Sequence, residues 1–439
     1  MSLLSDATDS SAQRPMPTTD QNHGSFFSSL FHLPRNVYLL LIFTTGKGFQ
    51  LSIIALVLNY YIHSLGYRSD FIGVFSAMPS IGALLGALPT AMVADRVGRK
   101  PVLVFTAILT PLTLACCALV TSVPLLLTIN LLQGIVSTGY WVTNLPLLTE
   151  STTPKQRVGV LALNTFLLLG VGALGNLLGG AIPEIIAGIM HVSAASPVPL
   201  RWGVFMAACF TFVFGLPLWT LQEPDRRAAR KLTKSTEAAL LAAGGTKERF
   251  PFWLFFKLLI PDLVFTMGEG AVVALIQLYF VLRFHLLPGP LGIIFAISGV
   301  AGGIFSLTAP LFVRRWSKLR LIIVVQYLTA PLMVMIGFAP TMPLAIAGEY
   351  SRSLMRTLIE PVYAAFAMER VSDRHRATLS GFYAITWSIG FSIGPTIGGW
   401  LQTNMSLSAS FIFGACCLLI APTLLLMFFG RQATAIENM

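Results

Sequence analysis

From Val37 onward, apolar runs of roughly twenty residues alternate with short polar loops almost to the end of the chain. A helix rises 1.5 Å per residue, so about 20 apolar residues are needed to cross the hydrocarbon of a bilayer. Twelve runs meet that length, near 37–63, 70–93, 101–120, 123–148, 158–182, 202–222, 254–283, 289–312, 319–339, 342–367, 378–401 and 407–429. Each must satisfy its backbone polar groups internally, so the expected class is an all-α membrane protein. The fifth and eleventh runs are rich in glycine, which suits close helix packing in lipid. One long polar segment, Glu223 to Phe250, separates six spans from six. The expected organisation is a disordered tail over 1–35, a six-helix bundle over 36–222, a linker over 223–252, a second bundle over 253–430 and a tail over 431–439. The first tail lacks a basic region leading into a short apolar core with a cleavage site, so no signal peptide is expected.

Composition agrees with the pattern. The 439 residues are 55% hydrophobic and only 11% charged, where a soluble domain carries about 25% charged residues. That excludes a soluble globular protein, and it excludes disorder over most of the length. The five cysteines, Cys116, Cys117, Cys209, Cys416 and Cys417, all lie inside apolar runs and read as small core hydrophobes rather than a disulfide framework. The net charge of +11 would suggest nucleic acid in a soluble protein. Here the basic residues sit in loops: nineteen follow even-numbered spans and three, Arg68, Arg201 and Arg283, follow odd-numbered ones. The positive-inside rule then places the even loops and both termini in the cytoplasm of a multi-pass protein of the plasma or inner membrane, with no nucleic acid partner.

The two halves repeat. Phe43-Thr44-Thr45-Gly46-Lys47-Gly48 in span 1 matches Phe265-Thr266-Met267-Gly268-Glu269-Gly270 in span 7 at an offset of 222, and His63 and His285 keep that register. Glu150 and Arg157 match Glu369 and Arg376 at 219, as Gly175 to Gly180 match Gly394 to Gly399. Parallel six-span repeats about an axis normal to the membrane are a transporter plan, with binding near the midplane where the repeats meet.

The loop after span 2 reads Ala94-Asp95-Arg96-Val97-Gly98-Arg99-Lys100. Gly98 permits a tight turn, Arg96, Arg99 and Lys100 can reach lipid phosphates, and Asp95 can pair with an arginine or face a helix N-terminus. This loop resembles the signature loop of the major facilitator superfamily, and the resemblance covers residues 36–430. It implies twelve transmembrane helices in two pseudo-symmetric bundles, a cavity lined by spans 1, 4, 7 and 10, and a latch between the halves built on Asp95, Arg96, Gly98 and Arg99. The second-half copy, Ala309 to Lys318, has Val313 and Trp316 where Asp and Gly would stand. The family's span 4 pattern appears as Asn130-Leu131-Leu132-Gln133-Gly134 without its arginine, so proton coupling through that arginine is not expected here. The antiporter pattern on span 5 is partial, with Asn176 in place of proline.

Ionisable groups in a span are costly and by default mark function. Lys47 follows Arg35 by 12 residues and Glu269 follows Lys257 by 12, which puts both about 18 Å inside the basic face. They occupy equivalent positions with opposite sign, so they are expected to attract when the site is empty, and the glycines beside them leave room for a helix or a ligand. Glu349, Arg352, Arg356 and Glu360 share one helical stripe of span 10. With Lys47 and Glu269 the set sums to zero. Glu360, nearest the basic end, is expected to gate or pack. At an offset of 219 a neutral stripe on span 4, with Asn130, Gln133, Ser137 and Trp141, aligns with it and continues to Asn144; Tyr140 borders it. Amides and rings suit a solute with polar groups and an apolar face.

Weaker signals are Asp262, read as a carboxylate near the start of span 7; His63 and His285, expected to pack at the interface; and Tyr383 and Trp387 on span 11. No metal-binding spacing, nucleotide loop or nucleophile arrangement occurs, so neither enzyme activity nor a cofactor is expected. The expected function is a monomeric secondary active transporter for a small organic solute, leaning to proton-coupled export, with membrane lipid and protons as its other partners. Glu269 is the first choice for the coupling carboxylate. A metabolite symporter or uniporter, a lipid transporter and a non-transporting sensor remain open.

Overall fold

The computed structural model describes residues 33–222, 251–306 and 308–437. The expected N-terminal tail to residue 32 and the linker over 223–250 lie outside the described residues. Span 1 is Arg35–Ser64, span 2 Ser69–Val97, span 3 Arg99–Leu119 and span 4 Val123–Glu150. Span 5 starts as Pro154–Thr165, widens into a π-helical turn over Phe166–Val171 and ends as Gly172–Met190. Span 6 is Pro197–Gly215 with a tight turn over Leu216–Thr220, and span 7 is Phe252–Val273 followed by Ile276–Phe284. Span 8 is Pro288–Ser306, followed by a short helix Ala309–Arg315; spans 9 to 12 are Lys318–Phe338, Met342–Met368, Asp373–Asn404 and Ala409–Glu437. Ten of these helices are long and apolar enough to cross a membrane by length and composition. Spans 10 and 11 complete twelve; the four charges within span 10 and the charged start of span 11 dilute their hydropathy.

Local chemistry sets the ends. Pro124, Pro154, Pro197 and Pro343 stand in the first turns of their helices, where the missing N–H costs nothing. Gly98 ends span 2 with a φ of 123°, a conformation that favours glycine. Span 12 continues helically to Glu437, into the segment where a C-terminal tail is expected.

Two helices depart from the regular rods their apolar runs predict. At the π-turn of span 5, Gly48 of span 1 lies against the carbonyls of Leu167 and Leu168. At the break in span 7, the Ala274 carbonyl is freed from the helix and accepts from Asn59 Nδ2 at 2.7 Å. A packed neighbour meets the irregular backbone in both places, as the bilayer interior demands.

The cores show how the bundles sit. One apolar cluster joins both halves toward the odd-numbered loops; it includes Ile53, Tyr61 and Phe75 from the first half and Tyr279, Leu291 and Phe411 from the second. Toward the even-numbered, basic loops the core divides. One cluster around Leu40, Leu103 and Leu218 belongs to the first half, and another around Leu258, Ile322 and Phe366 to the second. The halves are therefore sealed together on the face opposite the termini and parted on the basic face.

Pseudo-symmetry governs the seal. Gly73 of span 2 meets Pro395 and Gly399 of span 11, and Gly292 of span 8 meets Asn176 and Gly180 of span 5; every member is shifted by 219. Two caps cross the same seams. The Asp70 N–H, at the start of span 2, donates to Thr403 Oγ1 at 2.8 Å, and the Gly289 N–H, at the start of span 8, donates to Glu184 Oε1 at 2.9 Å. These pairs too are related by 219. Each satisfies an N-terminal donor that its own helix cannot. A helix cap is worth about 0.5–2 kcal/mol, so Glu184→Ala with Thr403→Val should speed thiol labelling of Ile72→Cys roughly tenfold, from the face opposite the termini, in a background free of native cysteine. An unchanged rate would mean that the caps do not hold the seal.

Candidate functional site

Span 10 carries its charges into a buried array. Glu349 and Arg352 are each 3% exposed and Glu269 of span 7 is 1% exposed. Three residues apart on one helix, Glu349 and Arg352 meet in a fork: Arg352 Nε and Nη2 donate to the two Glu349 oxygens, both at 2.8 Å. The third face of the guanidinium, Nη1, donates to Glu269 Oε2 at 3.0 Å. Arg356, one turn on, places Nε 3.6 Å from the same oxygen, while its guanidinium lies 5.6 Å from the centre of the Trp387 ring. Arginine suits this position because its planar donors serve two carboxylates at once. The other Glu269 oxygen is buried and without a hydrogen-bond partner among the described residues.

Lys47 stands at the equivalent position of the first half and is 1% exposed. The expected pairing with Glu269 is not formed. Among the described residues no carboxylate lies within 4.0 Å of the Lys47 ammonium; its charged end faces the Tyr140 ring, 5.9 Å from the centroid. The reason is proximity within the bundle: span 10 offers Glu269 two guanidinium groups, so the carboxylate is satisfied without crossing to the other half. The glycines beside both residues are filled by helices rather than left for a ligand. Gly46 packs on Phe214 and Gly48 on span 5; Gly268 packs on Cys417 and Gly270 on span 11.

The span 4 stripe divides by depth. Asn130 Nδ2 donates to the Phe75 carbonyl of span 2 at 2.6 Å, and Gln133 accepts from Thr113 of span 3. Spans 2 and 4 touch backbone to backbone at Gly82 and Gly134, which leaves no room there for a solute. Asn130 and Gln133 are thus engaged in helix packing. Nearer the basic face the stripe joins a polar knot. Thr44 donates to Asn164 Oδ1 at 2.7 Å, Asn144 Nδ2 donates to the same oxygen at 3.1 Å, and the Tyr140 hydroxyl donates to Thr44 at 3.2 Å. Trp141 is 55% exposed and packs edge-on against Tyr140. Asn164, on span 5, was legible only as a polar residue inside an apolar run.

The basic loops form ion pairs inside each half. Arg99 pairs with Glu150, and 219 residues on Lys318 pairs with Glu369. Arg157 donates to the Thr149 carbonyl at 3.3 Å, and Arg376 to that of Met368 at 3.1 Å, again in register. Asp95 and Arg96 are exposed and make no ion pair among the described residues. With the bundles parted on this face, the expected latch across the halves is not closed; of its members Arg99 ties the loop to span 4 of its own bundle. The His63 ring meets the Tyr67 carbonyl at 3.1 Å, and His285 ends span 7 in the left-handed conformation.

Asp262 differs from its sequence reading. Pro261 lies inside the helix, not at its first turn, so no helix N-terminus faces the carboxylate. Instead Thr386 of span 11 donates to Asp262 Oδ2 at 2.7 Å. Asp262, Arg356, Glu360, Tyr363, Tyr383 and Trp387 all line a cavity of about 260 Å³ between spans 7, 10 and 11.

Comparison with known proteins agrees with this architecture. The family model described as Major Facilitator Superfamily matches residues 38–355. The multidrug resistance protein MdtG of Proteus mirabilis (strain HI4320) is 23% identical over 404 residues, covering 87% of this chain and 92% of that protein. Among solved structures, a D-xylose-proton symporter superposes with a TM-score of 0.70 at 15% identity, covering 89% of this chain and 97% of that one. A bacterial homolog of the human lysosomal transporter Spinster, in an inward-facing and unoccupied conformation, gives 0.68 at 15% identity, covering 89% and 94%. With its twelve helices, its 219-residue repeat and a family match over most of its length, the chain belongs to the Major Facilitator Superfamily.

Proposed function

We propose that the protein is a proton-coupled exporter of a small organic solute, working by alternating access in the plasma or inner membrane with both termini in the cytoplasm. The parted basic face is then the inward-open state. The observation that carries the reading is the arrangement at Glu269: a buried carboxylate that gives one oxygen to Arg352 and Arg356 and keeps the other unpartnered among the described residues. A carboxylate so placed can exchange a proton for a guanidinium contact, because protonation removes the charge that holds Arg352 and Arg356 to it. Span 10 would then move against span 7, and the release of Arg356 would change the wall of the adjoining cavity. Export is favoured by the similarity to a multidrug resistance protein along nearly its whole length. The bundles 36–222 and 253–430 would rock as units about the glycine seams.

Reconstitution tests the coupling. In proteoliposomes, wild type should move its solute several-fold faster with an imposed pH gradient than without one. Glu269→Gln, which keeps shape and loses the titrating group, should move it at one rate under both conditions. Gradient dependence retained in that variant would remove Glu269 from the coupling role.

A further inference from the structure

We infer that the cavity between spans 7, 10 and 11 is a subsite for the ammonium group of a compact organic amine, held by the carboxylates of Asp262 and Glu360 with its apolar body among aromatic rings. The role of the subsite rests on the transport reading above; the binding itself does not.

Charge is the first argument. Glu269, Glu349, Arg352 and Arg356 neutralise one another in the array already described. Removing that balanced set leaves Asp262 and Glu360 on the cavity wall, and among the described residues neither has a basic group within 4.0 Å. Arg356 is the one basic residue of the lining, and its guanidinium is engaged with Glu269 and the Trp387 face. Asp262 is half-buried and Glu360 exposed; a half-buried carboxylate without a counter-charge is costly, and a cation entering the cavity relieves that cost.

Hydrogen-bonding capacity is the second. Asp262 Oδ2 already accepts from Thr386, and Oδ1 accepts nothing among the described residues. Gln326, 1% exposed, presents Oε1 without a partner to the same cavity. The Tyr363 hydroxyl spends its proton on the Leu258 carbonyl at 2.8 Å. The open carboxylate and amide oxygens are acceptors, the Tyr383 hydroxyl, without a partner among the described residues, can accept as well as donate, and an ammonium is the group that offers three donors and no acceptor. Phe265, Tyr383 and Trp387 supply ring faces and edges for the rest of the molecule. About 260 Å³ falls just under the roughly 300–1,000 Å³ of drug-sized sites, which suits a compact amine.

The first half shows what a closed version looks like. Thr44, Asn144 and Asn164 correspond to Thr266, Tyr363 and Tyr383 at offsets of 222, 219 and 219. There the three side chains bond one another, and Leu40 stands where Asp262 would. The second half carries an acid at this depth, Asp262, with a cavity beside it.

The test uses the full-length protein in lipid nanodiscs with three probes of one size: 2-phenylethylamine, 2-phenylethanol and phenylacetate. Calorimetry should detect the amine and neither of the others. Asp262→Asn and Glu360→Gln should each weaken amine binding at least tenfold, and Asp262→Glu should retain it within a few-fold, which separates lost charge from lost folding. The amine should change tryptophan fluorescence, and Trp387→Phe should remove that change. Equal binding of the alcohol or the acid, amine binding untouched in both neutralised variants, or no amine binding at all would overturn the assignment. Amine that binds in this way but is not moved into proteoliposomes leaves the subsite standing and counts against the transport reading for amines.

Discussion

Arg352→Ala should lower the stability of the protein by about 3–5 kcal/mol, the cost of removing one partner from a buried ion pair, and should abolish transport. The side chain is 3% exposed and holds two carboxylates with three hydrogen bonds at 2.8–3.0 Å. Truncation leaves Glu269 and Glu349 facing each other across the vacated space, with Arg356 a quarter exposed and 3.6 Å from only one of them. Thermal denaturation of the purified protein reads the loss, as an early transition or as aggregation during extraction. A compensated variant isolates the electrostatic origin. Arg352→Met combined with Glu349→Leu and Glu269→Gln removes three charges and should recover most of the stability, because an apolar replacement of a whole buried array is close to neutral. Gradient-driven transport should stay lost, since the carboxylate proposed to couple it is gone. A compensated variant as unstable as Arg352→Ala would place the defect in packing volume instead.

The parts of this molecule legible in its sequence are those written in length and register. Apolar runs of membrane length locate the helices, and the offset of 219 that aligns Glu150 with Glu369 also relates the two loop ion pairs, the two glycine seams and the two crossing caps. What escaped depends on which helix stands next to which. The π-turn of span 5 and the break of span 7 are local responses to Gly48 and Asn59 on span 1, more than a hundred residues away. Depth and sign alone matched Lys47 with Glu269, but the choice of partner was made by guanidinium geometry on span 10. Asp262 beside a proline resembled a helix start, and its contact with Thr386 requires knowing that span 11 packs on span 7.

The two seams also account for where the halves hold together and where they part. Glycine-to-backbone packing and the crossing caps sit toward the odd-numbered loops, and the shared apolar cluster lies on the same side. On the basic face each half keeps its own core and its own ion pair, Arg99 with Glu150 or Lys318 with Glu369. A half that is complete by itself can separate at little cost, because no apolar surface shared between the halves is exposed there. Arg99 of the signature loop therefore contributes to its own bundle, while Asp95 and Arg96 stand exposed on the parted face.

Lys47 poses the opposite experiment to Arg352. Lys47 is 1% exposed, and its ammonium has a ring for company but no carboxylate within 4.0 Å among the described residues. A charge held this way is paid for by the rest of the fold. Lys47→Met keeps the length of the side chain and removes the charge, so the protein should become more stable by about 1–4 kcal/mol, the range seen when buried ionic groups give way to apolar ones of similar volume. Transport should fall to background in the same variant, and that opposition of signs is what marks the residue as functional, since natural sites keep groups that stability alone would discard. Lys47→Glu should be destabilising, because it buries a carboxylate with no cation beside it. Melting curves and flux measured on one set of preparations decide the matter. A Lys47→Met protein that melts earlier than wild type would show that the ammonium serves the packing of span 1, and the solute site would then have to be sought in the second half alone.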